Sequence, residues 1–163
     1  MTDCAEQLVS LLKSQGKTIT TIESCTGGLV AGAITAISGS SNVFDYGFVT
    51  YSNAAKTALV GVPEELLSQY GAVSVEVARA MADGGRQRAS ADIALSVTGI
   101  AGPTGGSVEK PVGMVCFGLS FVGTDNVSVT EAHVKQFGPI GRDEVRQASV
   151  VHALDWAIET LSR

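Results

Sequence analysis

Apolar residues recur at helical spacing from the start of the chain, where Ala5, Leu8, Val9 and Leu12 share one face. Asp3 is the expected N-cap of this helix and Gly16 its stop. The β-branched run Thr18 to Ile22 predicts a strand. Leu29, Val30, Ala33, Ile34 and Ile37 form a second helical stripe that opens at Thr26-Gly27-Gly28 and ends near Ser38-Gly39. Val43 to Tyr51 predicts a second strand, after which Ser52 or Asn53 caps a short helix closed by Gly61. Pro63 starts a further helix ended by Gly71, and Ser74 caps a longer one reaching about Arg88. Ile93 to Thr98 predicts the next strand. A turn-rich segment, Gly99 to Pro111, leads into the apolar run Gly113 to Val122, the pattern of a strand buried on both faces. Val127 to Val134 alternates as a last strand, and Val145 to Leu161 is a final amphipathic helix.

Helices and strands alternate at first, and then strands follow one another directly. That order predicts an α/β fold: a three-layer α/β/α sandwich whose mixed sheet is covered by helices on both faces, in one domain over residues 1–163. The composition agrees, with 163 residues, 45% hydrophobic and 17% charged, enough for a self-sufficient core and too apolar for a disordered chain. Sixteen acidic residues against eleven basic ones, a net charge of -5, work against a nucleic-acid surface. No stretch approaches the roughly 20 apolar residues of a membrane span, and the acidic start, Met1 to Glu6, lacks the basic flank of a secretory signal. The three cysteines, Cys4, Cys25 and Cys116, match no disulfide or zinc pattern, so a reducing cytoplasm is the expected compartment. His133 and His152 have no ligand spacing, and neither a metal nor a cofactor is expected. A homo-oligomer is compatible with the chain, closed dimers being the commonest assemblies.

Four stretches can carry chemistry. In Glu23-Ser24-Cys25-Thr26-Gly27-Gly28 a strand hands over to a helix, so amides at the helix start can attract an anion and the glycines let a ligand approach. A tight turn capped by Thr26 is the plain alternative. Cys25 is either a thiol nucleophile with a lowered pKa or a small packing residue, and the second reading is preferred. Lys56 falls in the first turn of its helix, the wrong end for a cation, where its pKa drops and it can act as base for a serine hydroxyl. Tyr51 ends a strand beside it and can relay a proton; a solvated lysine and a core tyrosine are the alternative. Thr98 and Gly99 open a long loop with Gly102, Gly105 and Gly106, the kind of backbone that lines a crevice beyond a strand's carboxyl end. Arg142 and Arg146, one helical turn apart, can grip a phosphate or pair with Asp143 and Glu144.

Together these stretches resemble the CinA carboxy-terminal domain family, whose stand-alone members are nicotinamide mononucleotide deamidases. The resemblance rests on Glu23 to Gly28, Gly39 to Ser41, Gly47 to Lys56, Gly71 to Ser74, Thr98 to Gly102, Gly105 to Ser107, Glu109 to Gly113 and the Arg142/Arg146 pair. It implies hydrolysis of the nicotinamide mononucleotide carboxamide to nicotinic acid mononucleotide and ammonia by a metal-free serine–lysine arrangement. Carried over residue by residue, it implies Ser41 as nucleophile, Lys56 as base, Tyr51 as proton relay and Ser24 as a further active-site serine. The family's Phe-x-Gly-Asp-Arg is replaced here by Phe137-Gly138-Pro139-Ile140-Gly141-Arg142, without the acid. A non-catalytic nucleotide-binding module and a cysteine amidase are the rival expectations.

Overall fold

The structure is a computed structural model that describes residues 1–123 and 125–163. Its centre is a sheet of five strands in the order β2-β1-β3-β4-β5. These are β1 (Ile19–Glu23), β2 (Phe48–Val49), β3 (Ile93–Gly99), β4 (Met114–Val122) and β5 (Ser128–Gln136). β2, β1 and β3 run parallel, while β4 and β5 are antiparallel, so the sheet is mixed. Among the described residues six α-helices flank it: α1 (Thr2–Gln15), α2 (Leu29–Thr35), α3 (Asn53–Val60), α4 (Glu64–Tyr70), α5 (Val75–Ala89) and α6 (Arg142–Leu161).

The larger core unites α1, α2 and α6 with one face of the sheet through residues such as Leu8, Leu12, Ile34, Phe117 and Leu154. On the opposite face Ile22 and Ala94 meet Val60, Val77 and Met81 from α3 and α5. Alternation along β1 therefore divides its end: Glu23 faces the α2 side, and the next residue, Ser24, faces the α3 side. α5 approaches β4 closely, since a Cβ on Gly118 would stand 2.3 Å from the Ala78 carbonyl oxygen. Only a glycine fits there.

The α/β/α layering and mixed sheet follow the expectation from the pattern, and three details differ. Met1 is the N-cap of α1, with Asp3 inside the first turn, where its charge suits the helix dipole. The second strand shrinks to Phe48–Val49. Ser40–Asn42 forms a 3-10 turn, and Val43 is no longer part of the strand, although its carbonyl oxygen accepts the Ile19 N–H of β1. Lastly, α6 begins at Arg142, three residues earlier than its apolar stripe.

Candidate active site

The carboxyl ends of the three parallel strands gather the polar residues, the usual place for a crevice in such sheets. Thr50, just past β2, donates its N–H to the Glu23 carbonyl at 2.7 Å, which carries the chain over the end of β1. Ser52 then caps α3 by accepting the Ala55 N–H at 3.0 Å, so Lys56 lies one turn into the helix. Its side chain runs back beneath Ser24 and is 1% exposed. Lys56 Nζ lies 3.1 Å from Ser24 Oγ and donates to the Thr50 carbonyl at 2.7 Å. Among the described residues no carboxylate pairs with it. Burial pushes its pKa below the ordinary lysine value, and the dipole of α3 acts in the same direction.

A cavity of about 190 Å³ opens over this pair, lined by Ser24, Cys25, Tyr51, Lys56, Thr98 and Arg142. Ala72 and Val73 close its remaining wall, and Thr98 Oγ1 donates to the Ala72 carbonyl at 2.8 Å. Tyr51 is 62% exposed at the mouth, where its hydroxyl accepts a hydrogen bond from Arg142 at 3.2 Å. Arg142 also donates to the Gly102 carbonyl at 2.9 Å and borders a second hollow of about 150 Å³ with Ala101, Pro103, Val112 and Pro139. Larger hollows of about 530 and 570 Å³ lie over α5. They hold none of these groups, so chemistry and not size selects the site.

Several expected residues sit elsewhere. Ser41 is exposed on the 3-10 turn before Val43, beside the start of β1, whereas Ser24 follows its end. Five residues of strand, about 16 Å, separate the two levels. The assignment of Ser41 as partner of Lys56 is therefore corrected: the serine that meets the lysine is Ser24. The helix-start anion site is corrected too. Glu23, 1% exposed, turns its carboxylate onto α2 and accepts the N–H groups of Gly28, Val30 and Ala31 at 3.1, 2.9 and 2.8 Å. The Gly27 amide is also taken, donating to the Ser24 carbonyl at 3.1 Å, and Thr26 is fully buried. With the Leu29 N–H donating to the Thr26 carbonyl, the amides from Gly27 to Ala31 are all taken, and a phosphate finds none of them free.

Arg146 is committed as well, donating to the carbonyls of Cys25 at 3.1 Å and Thr26 at 3.4 Å and lying 3.6 Å from Asp143. Of the arginine pair only Arg142 offers a cation to the cavity, because it has no carboxylate partner among the described residues. Gly99 lines the cavity, and Gly102 frames its rim through the bond from Arg142, but Gly105 and Gly106 line neither hollow. Cys25 does border the cavity, yet burial pushes its thiol up to about 12, away from a thiolate. Ala72, Val73 and the Thr50 carbonyl carry no local sign of this role, although they lie in the segments Gly71 to Ser74 and Gly47 to Lys56 that support the resemblance.

The family model described as the CinA C-terminal domain matches residues 1–161. The chain belongs to that family. A nicotinamide-nucleotide amidohydrolase PncC of Enterobacter agglomerans is 53% identical over 152 residues, which cover 93% of this chain and 90% of that protein. A CinA-like protein of Citrifermentans bemidjiense is 51% identical over 152 residues, but the chain spans only 35% of its length. About a third of the length is likewise what this chain spans in other long curated relatives. The crystal structure of competence/damage inducible protein CihA from Agrobacterium tumefaciens superposes with a TM-score of 0.92 at 44% identity, covering 99% of this chain and 95% of that one.

Proposed function

We propose that the protein hydrolyses the carboxamide of nicotinamide mononucleotide to nicotinic acid mononucleotide and ammonia, as a step of pyridine nucleotide salvage in the cytoplasm. The observation that carries this reading is the 3.1 Å contact between Ser24 Oγ and a buried lysine with no counter-ion among the described residues. A neutral Lys56 amine takes the Ser24 proton while Oγ bonds to the carboxamide carbon and the carbonyl π pair moves onto oxygen. The tetrahedral intermediate collapses by breaking the C–N bond, and the proton held by Lys56 goes to the departing ammonia. Water then attacks the nicotinoyl ester, with Lys56 again as base, and frees Ser24.

Arg142 is the cation for the substrate phosphate, and Tyr51 offers its ring to the cationic pyridinium. Because Tyr51 oxygen already accepts from Arg142, its hydroxyl can relay that one proton, passing its own to the leaving group while the proton from Lys56 replaces it. Ammonia release from nicotinamide mononucleotide by purified protein, with nicotinamide as control, tests the reading. Release from the nucleotide alone is the expected result, unchanged by a chelator. Tight binding without turnover would make the protein a nucleotide-binding module, and loss of turnover in a chelator with recovery on adding a divalent ion would end the metal-free scheme.

A further inference from the structure

The serine attack just proposed puts a negative charge on the carboxamide oxygen, and that charge needs a donor already in place. Ser24 to Gly27 forms a turn, closed by the Gly27 N–H on the Ser24 carbonyl at 3.1 Å. In a trans peptide the N–H points opposite to the C=O, so the Cys25 amide is directed away from the turn's interior. Among the described residues it donates to no acceptor, and only its own thiol, a weak acceptor, stands by it. Cys25 follows the nucleophile directly and lines the same cavity. An unpaired amide in a nearly buried residue is costly unless something uses it. The surrounding groups hold the turn from both sides. Glu23 binds the amides of Gly28, Val30 and Ala31 beyond it, and the Arg146 guanidinium binds the carbonyls of both central residues, Cys25 and Thr26.

Resting on the Ser24–Lys56 reading, we propose that the Cys25 amide is the oxyanion donor of this site and that Arg146 is the positioning residue that keeps the turn presenting it. Arg146 acts through the backbone and does not touch the substrate. Its removal therefore weakens transition-state binding and spares ground-state binding.

The test measures kcat, KM and the affinity of pyridine-3-boronic acid, which forms a tetrahedral adduct on serine, for wild type, Arg146→Met and Arg146→Lys. In Arg146→Met, kcat should fall by about 10²-fold, KM should stay within about threefold, and boronic acid affinity should drop in parallel with kcat. Arg146→Lys, able to hold one carbonyl, should recover part of both losses. A KM raised about tenfold at unchanged kcat would overturn the proposal and make Arg146 a substrate-phosphate ligand. Unchanged kcat and boronic acid affinity in both variants would overturn it as well. If Arg146→Met does not fold, as judged by circular dichroism, Arg146→Lys decides by the same criteria. Wild type that binds the boronic acid but releases no ammonia from the nucleotide would sink the proposed function instead, leaving the donor to be judged by the boronic acid arm.

Discussion

Lys56 is surrounded by oxygen atoms that bear no formal charge: the Thr50 carbonyl and the Ser24 hydroxyl. Its lowered pKa gives two consequences of the same sign. The neutral amine is the base, so kcat/KM should rise with pH through an ionisation below 10.5 and be lost as pH falls through it. Between the folded pKa and the unfolded one, the unfolded chain binds more protons, so this group's contribution to stability also rises with pH. Ser24→Ala and Lys56→Ala should each lower kcat by about 10³-fold or more, and the double variant should be hardly worse than either. Lys56→Arg should be as damaging, since a guanidinium stays protonated. Ser41→Ala should keep near wild-type turnover, and a dead but folded Ser41→Ala would return the nucleophile's role to Ser41. Cys25→Ser should keep most activity, because its thiol is held near 12 and only its backbone is needed. The lysine was legible as unusual from its place in the helix, but its serine was not. Ser24 and Ser41 both sit in glycine-marked turns, and nothing local separates them.

At the scale of the elements, α2 depends on a residue outside it. Its seven residues are too few to hold a helix by themselves, and the Glu23 carboxylate anchors three of its first amides. Glu23→Gln would aim an amide donor at those N–H groups. A loss of about 1–3 kcal/mol in denaturant unfolding is expected, with a fall in kcat as the Ser24 turn shifts. Unchanged stability would show that the capping bonds contribute nothing. The position of α2 was readable from its apolar stripe, but the cap was not. A carboxylate at a strand end carries no local sign of the side to which it turns, and alternation along β1 turns it toward the helix.

Across the whole molecule, the edge strand β5 is tied to α6 by His133 and His152, whose Nε2 atoms lie 2.7 Å apart over Phe117. Burial lowers both pKa values; Lys135 adds to this for each, and His133 for His152, against opposing pulls from Glu131 on His133 and from Asp155 and Glu159 on His152. The stability they contribute is complete above their ordinary value of 6.5 and declines as pH falls through the folded values. Tm should therefore decline below about pH 6.5, and His152→Phe should flatten that decline. An unchanged slope would show that the pair does not govern it. Separated by 19 residues in sequence, the two histidines carried no sign of each other. The same division runs through the protein. Hydrophobic periodicity is a local property, and by itself it determined the α/β layering, the order of helices and strands and the glycine-rich turns at strand ends. The pairing of Ser24 with Lys56, 32 residues away, was decided only by the tertiary structure. It requires β2 to lie parallel to β1, so that Thr50 crosses the end of β1 and α3 starts beneath Ser24, a contact between distant segments that no local pattern encodes.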